Sequence, residues 1–241
     1  PSIGNSVLFA EDIKTARESD CVVAVMGINK STEREGLDRK TIDLPSEQTN
    51  YLKEIYKENK NIVVVLIAGS PMAINWINET IPAIVEAWYP GESGGTAIAE
   101  VLFGDYNPGG RLPFTFYKSL DDLPLFDDYD IFKGRTYMYF KGKPLYPFGY
   151  GLSYTSFGYS NMSISVSGDS IVVAADIRNT GDIKGDEVVQ LYCTDLESSV
   201  KRPKKQLVDF KRIALDKGET KTVLFIVARD QLKYWDEGIP G

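Results

Sequence analysis

The sequence predicts an α/β domain followed by a β-sandwich. In residues 1–116, segments with helical spacing alternate with short apolar runs, a pattern typical of a mostly parallel sheet flanked by helices. From about Asn161 apolar residues recur at every second position, and turns containing Gly and Asp separate the runs, as in β-sandwiches. The 241 residues are enough for two domains with one core each.

Local signals define the elements of the first region. Strands are predicted at Asp20–Gly27, Asn61–Ala68 and Ala83–Trp88, and the second is a continuous β-branched run typical of a strand covered on both faces. Helices are predicted at Val7–Ser19, from Ser46 as N-cap to about Asn59, from Ser70-Pro71 through Ile77, and at Ser93–Phe103, before Gly104. Arg111–Phe116 is predicted to be a short strand, in which Pro113 indicates an edge or a bulge.

The second region carries the period of a sheet. A hairpin is predicted at Met162–Ile177 around Ser167-Gly168-Asp169, with further strands around Val189 and Phe225. Residues 117–156, between the two regions, are too aromatic for a flexible linker, so we expect an ordered strap packed across both domains. The expected division is an α/β domain at 1–116, the strap at 117–156 and a sandwich at 157–241. We expect this sandwich to be truncated at its C-terminus, because the chain stops after a turn-like segment where a further strand is expected.

Composition excludes several classes of function. The net charge of −7 argues against nucleic acid or an anionic membrane as a partner. The absence of histidine excludes Ser-His and Cys-His dyads and histidine-bound zinc or haem, and two cysteines far apart in sequence cannot form a metal site. We therefore expect neither a cofactor nor a metal, and any chemistry has to use carboxylates, Tyr, Lys, Arg or Ser.

Glu35 is the most informative residue for function. It belongs to the charged run Ser31–Arg39, directly after the strand predicted at Asp20–Gly27. Open α/β sheets place their chemistry in loops at the carboxyl ends of strands. A glutamate there can protonate a leaving group when a partner carboxylate lies opposite. The alternative interpretation is a solvated charged loop.

Four segments together resemble glycoside hydrolase family 3. They are the first strand with SxxxEGLDR…IDLPSEQ, then NIVVVLIAGSPMAI, WYPGESGGTAIAEVLFGDYNPGGRLPFTF, and PLYPFGYGLSYTSF followed by the sandwich. The resemblance is to the C-terminal half of the family, which consists of an α/β sandwich domain and a fibronectin type III-like domain of immunoglobulin-like fold. It covers nearly all of the chain in the order and spacing of the family.

The resemblance implies a retaining, exo-acting β-glycosidase that removes terminal β-linked glucose or xylose. It also implies that an aspartate nucleophile lies on an N-terminal (β/α)8 barrel, while a loop of the α/β sandwich domain supplies the acid/base glutamate. The family's Glu-Gly-x-Asp-Arg pattern falls on Glu35, Gly36, Leu37, Asp38 and Arg39. Glu35 is therefore the favoured acid/base, Glu33 is the rival, and Asp38 and Arg39 are expected to position the loop.

The sequence departs from the family by having no barrel, which typically takes about 250 residues. We expect the barrel to be a partner on the same native chain or on a separate chain, and the present chain to be inactive without it. The alternative is a non-catalytic carbohydrate-binding or assembly module. The choice between glucoside and xyloside stays open, and a secreted or periplasmic location is favoured although the chain carries no signal peptide.

Overall fold

The structure is a computed structural model that describes residues 6–234. The chain forms two compact units. The first contains residues 6–102, 114–129 and 141–147, and the second contains residues 103–113, 130–140 and 148–234. Segments of the strap therefore belong to both units. The turn-like C-terminal segment at 236–240 lies outside the described residues.

The first unit alternates helices with parallel strands. Its elements are α1 (Ser6–Glu18), β1 (Val22–Gly27), α2 (Ser46–Glu58), β2 (Ile62–Ile67), α3 (Asn75–Thr80), β3 (Ala83–Glu86) and α4 (Gly94–Phe103). The strands form a parallel sheet in the order β1-β2-β3. Ile62, Val64 and Leu66 of β2 are almost completely buried, as the continuous apolar run predicted, and they form a core with Leu52 and Ile55 of α2.

Three local predictions for residues 1–116 are wrong. No helix begins at Ser70-Pro71: α3 begins at Asn75, because the backbone before it pairs with another segment, with the Ala73 N–H donating to the Ile42 carbonyl at 2.8 Å. Ser46 is the first residue of α2 and not its N-cap, since the Pro45 carbonyl accepts the first helical hydrogen bonds.

The third wrong prediction is the strand at Arg111–Phe116. Phe116 forms only an isolated antiparallel bridge with Tyr146. Leu112 donates to the Tyr150 carbonyl at 2.8 Å, but Pro113, which has no N–H, follows it and interrupts the pairing.

The second unit is built on antiparallel strands. They are β4 (Phe157–Ser167), β5 (Ser170–Asn179), β6 (Gly185–Cys193), β7 (Gln206–Leu215) and β8 (Thr220–Ala228), and a short helix, α5 (Thr136–Tyr139), precedes them. One sheet has the order β4-β5-β8, and β6 pairs with β7 in the other. Inward-facing apolar residues of β5, β6, β7 and β8 form the core, among them Ile177, Leu215 and Phe225.

Buried polar contacts fix this second unit. Arg111 and Glu187 form an ion pair of 2.6 Å, in which the side chains are 11% and 10% exposed, and the Tyr159 hydroxyl donates to the other oxygen of Glu187. Asn179 is completely buried. Its amide donates to the Ile183 and Leu215 carbonyls, and its oxygen accepts from the Thr155 hydroxyl and the Gly181 N–H.

Candidate active site

The loop between β1 and α2 (residues 28–45) carries the charged run and begins at a fixed point. Gly27, the last residue of β1, has a φ of +147°, and a Cβ there would lie 1.9 Å from the Ile67 carbonyl oxygen. Only glycine therefore lets the end of β1 lie this close to β2. Gln48 of α2 donates its side-chain amide to the Gly27 carbonyl at 2.7 Å and accepts from the Gly27 N–H at 2.9 Å. These contacts hold the start of the β1–α2 loop at the carboxyl edge of the sheet.

Glu35 lies at the tip of this loop. Arg34 and Leu37 exchange backbone hydrogen bonds of 3.2 and 2.9 Å, which close a turn whose two central residues are Glu35 and Gly36. Gly36 has a φ of +74°, whereas Glu35 is not among the residues with positive φ, as in a type II turn. The Glu35 side chain is exposed and forms no hydrogen bond or ion pair within residues 6–234. Its carboxylate is therefore available to a ligand.

Glu33 lies two residues earlier but in a different environment. Its Oε2 forms an ion pair with Nε of Arg39 at 2.6 Å and accepts a hydrogen bond from the Ser70 hydroxyl at 2.6 Å. Arg39 is 10% exposed, and its Nη2 donates to Oγ of Ser70 and to the Pro71 carbonyl. These contacts fasten the β1–α2 loop to the segment after β2. Asp38 is exposed and has no such contact in the described part of the chain.

Glu86, which the sequence analysis did not identify, ends β3 at the same edge of the sheet. Glu86 and Met26 both pair with Leu66, so these two outer positions lie about 10 Å apart across the sheet. Burial raises the pKa of Glu86 to about 7, and the Trp88 N–H, which donates to Oε1 at 3.1 Å, acts in the opposite direction. The only sequence signal for Glu86 is a single carboxylate at the end of an apolar strand.

Two carboxyl groups at this edge of the sheet, those of Glu35 and Glu86, differ in their surroundings. Among residues 6–234 there is no group of three or more Cys, Asp or Glu side chains that could hold a metal ion. None of the helices within the same residues is long and apolar enough to cross a membrane. What the edge of the sheet offers is an exposed carboxylate on an anchored loop, with a second, half-buried carboxyl two strands away.

Comparison with protein families gives two matches. The model of the glycosyl hydrolase family 3 C-terminal domain matches residues 2–154, and that of the fibronectin type III-like domain matches residues 187–239. The first match covers more than half of the chain and contains the sheet and the β1–α2 loop. The second covers most of β6 and all of β7 and β8.

Similar proteins are longer than this chain. A "Beta-xylosidase" of Formosa agariphila is 43% identical over 96% of the chain and 33% of its own length, and "Beta-glucosidase BoGH3A" of Bacteroides ovatus is 38% identical over 98% and 34%. The crystal structure of a β-glucosidase from Kluyveromyces marxianus in complex with glucose matches with a TM-score of 0.91 and 36% identity, covering 98% of this chain and 30% of that one. The chain spans about a third of the length of these curated relatives. It belongs to glycoside hydrolase family 3 and consists of the family's C-terminal domain followed by a fibronectin type III-like domain.

Proposed function

We propose that the chain supplies the general acid/base of a retaining, exo-acting β-glycosidase and that Glu35 is this residue. A (β/α)8 barrel, in the part of the protein that this chain does not cover, supplies the nucleophile. The observation that carries the proposal is the position of Glu35 on the tip of an anchored loop, with no contact to its carboxylate in the described chain. By itself the chain is inactive, because the proton donor has no nucleophile to work with.

The contacts of Glu33 favour Glu35 over its neighbour. A general acid/base has to give a proton to the substrate and later take one from water. Oε2 of Glu33 is already shared between the Arg39 guanidinium and the Ser70 hydroxyl, and the side chain is only 26% exposed. Glu33 and Arg39 therefore position the loop, and Glu35 remains for the substrate.

The reaction proceeds in two balanced steps. In the first, Glu35 donates its proton to the glycosidic oxygen while the barrel carboxylate attacks the anomeric carbon. The bond between carbon and glycosidic oxygen breaks, and the leaving group departs as a neutral alcohol. In the second step the Glu35 carboxylate takes a proton from water, whose oxygen attacks the anomeric carbon and releases the barrel carboxylate. Retaining enzymes hold the two carboxyl groups about 5–5.5 Å apart.

The substrate class is a terminal β-glucoside or β-xyloside. Both activities are named among the relatives, which include a β-xylosidase and a β-glucosidase. Comparing kcat/KM for the 4-nitrophenyl β-glucoside and β-xyloside with the protein that contains the barrel assigns the preference.

The experiment uses that protein with Glu35→Ala. We expect turnover of ordinary β-glycosides to fall by about 10²–10⁴-fold, the usual contribution of a general acid or base. Substrates with activated leaving groups need little protonation in the first step, so azide should partly restore their cleavage and give a β-glycosyl azide.

The matched control is Glu33→Gln, which keeps an oxygen for Arg39 and Ser70 and should reduce kcat less than tenfold. Loss of activity with azide rescue in the Glu33 variant alone would assign the role to Glu33. Full activity of both variants would favour a non-catalytic module.

A further inference from the structure

Tyr89 is an exposed aromatic residue at the same edge of the sheet as the β1–α2 loop. It follows β3 by three positions, and its side chain is 55% exposed. Single exposed aromatic residues are common on protein surfaces, so exposure alone does not define a site. What distinguishes Tyr89 is that its backbone and its ring are both held in place.

The backbone before Tyr89 has an unusual conformation with its own supports. Trp88 has a φ of +52°, in the left-handed region that bulky residues rarely adopt. The Glu86 carboxylate accepts the Trp88 N–H at 3.1 Å. The indole ring packs edge-on against the rings of Phe114 and Phe116, with centroid distances of 5.9 and 6.1 Å. A non-glycine residue keeps such a conformation only where its surroundings enforce it, and these contacts do so.

The ring of Tyr89 lies on the backbone of Gly69. A Cβ at Gly69 would lie 2.5 Å from Cε2 of Tyr89, so the ring occupies the place of a side chain there. The next residue is Ser70, whose hydroxyl donates to Glu33. Glu33 precedes Glu35 by two positions. The Tyr89 ring therefore contacts the residue next to Ser70, and Ser70 anchors the β1–α2 loop through Glu33.

The chemistry of the proposed reaction indicates what such a ring would contact. A general acid gives its proton to the oxygen that joins the terminal sugar to the leaving group, so it lies at the boundary between the two. In the proposed enzyme the barrel holds the terminal sugar, so a side chain fixed near the anchor of the loop that carries the acid is placed to meet the leaving group. Aromatic rings offer a rigid apolar surface, which suits the apolar face of a sugar ring. We propose that Tyr89 determines specificity by contacting the leaving-group sugar of the substrate, an inference that rests on the proposed role of Glu35.

The test compares two substrates with the same terminal sugar in the protein that contains the barrel. One is the β-linked disaccharide, and the other is the β-glycosyl fluoride, whose leaving group is a single atom. For Tyr89→Ala we expect kcat/KM for the disaccharide to fall about tenfold, the size of one lost aromatic contact, with less than a twofold change for the fluoride. Tyr89→Phe keeps the ring and should behave like the unmodified protein. Phe210→Ala, which removes an exposed aromatic side chain of the sandwich, is the control and should change neither value.

Several results would overturn the inference. An equal loss for both substrates would mean that the ring only supports the loop, and no loss for either would mean that it does not contact the leaving group. A Tyr89→Phe variant as impaired as Tyr89→Ala would exclude contact through the ring. Failure of the proposed function would show in a different variant. Glu35→Ala would then cleave the disaccharide at the same rate as the unmodified protein, whatever the Tyr89 variants do.

Discussion

Replacing Glu86 by Gln should change how the stability of the chain depends on pH. In the folded protein, burial raises the pKa of Glu86 from an ordinary value of 4.5 to about 7. In the unfolded chain the carboxyl is in water and returns to its ordinary value. Between these two values the folded form keeps a proton that the unfolded form has lost. The free energy of unfolding therefore falls as the pH rises through this interval.

The size of this change in the free energy of unfolding follows from the difference between the two pKa values of Glu86. One pKa unit corresponds to about 1.36 kcal/mol. The step from 4.5 to about 7 therefore corresponds to roughly 3 kcal/mol. This destabilisation is absent below about pH 4.5, grows as the pH rises, and is complete above about pH 7. Gln is neutral throughout and still offers an oxygen to the Trp88 N–H, so the variant should lack this part of the pH dependence.

Urea denaturation at pH 5, 6, 7 and 8, followed by tryptophan emission, measures the difference. Trp76 and Trp88 both belong to the first unit and report its unfolding. We expect Glu86→Gln to be more stable than the unmodified chain by less than about 1 kcal/mol at pH 5 and by up to roughly 3 kcal/mol at pH 8. Glu92→Gln, at an exposed carboxylate nearby in sequence, is the matched control and should follow the unmodified chain. A difference between Glu86→Gln and the unmodified chain that stays constant from pH 5 to pH 8 would refute the reasoning.

Two further predictions concern the second unit, and urea denaturation measures both. Arg111→Met removes the cation from a buried ion pair and leaves the Glu187 carboxylate with the Tyr159 hydroxyl, so the free energy of unfolding should fall by about 3 kcal/mol. The double variant with Glu187→Met should recover part of the loss, and a larger loss in the double variant would contradict this account. Asn179→Ala leaves two carbonyl acceptors, of which that of Leu215 is buried, and two donors without their partner and should cost about 2–4 kcal/mol, whereas a loss below about 1 kcal/mol would show that the site is not closed to water.

The sequence predicted those parts of the fold that depend on local pattern. The apolar run at Asn61–Ala68 predicted a strand covered on both faces, and β2 is a strand there that is buried along one face and, on the other, at Val65. The Ser70-Pro71 pair predicted a helix start that does not occur, because Pro71 and Ala73 form hydrogen bonds with Arg39 and Ile42. Those partners lie some thirty positions away in sequence, and a local signature contains no information about them. The sequence did not predict β7, because the charged residues Asp209, Lys211 and Arg212 interrupt the alternation of apolar and polar residues.

Prediction of the candidate site from the sequence was limited for the same reason. The resemblance favoured Glu35 over Glu33 on the same loop, but residue type alone could not separate them, since both are glutamates with the same intrinsic chemistry. Their environments differ because Arg39 reaches Ser70, which is 31 positions further along the chain. Glu86 was missed for a related reason: a carboxylate at the end of a strand becomes unusual only when the tertiary fold buries it.

The anchoring of the β1–α2 loop explains how an exposed carboxylate can still be held in a defined place. A proton donor that serves a cavity in another domain has to be exposed in its own domain, and an exposed side chain is normally mobile. Here the loop is fixed at Gly27 by Gln48, in its middle by Arg39 and Ser70, and near its end by the hydrogen bond between Ile42 and Ala73. None of these anchors involves Glu35. The backbone therefore sets the position of the tip, and the Glu35 carboxyl group keeps both oxygens free of contacts within the described residues, as the proposed role of giving and then taking a proton requires.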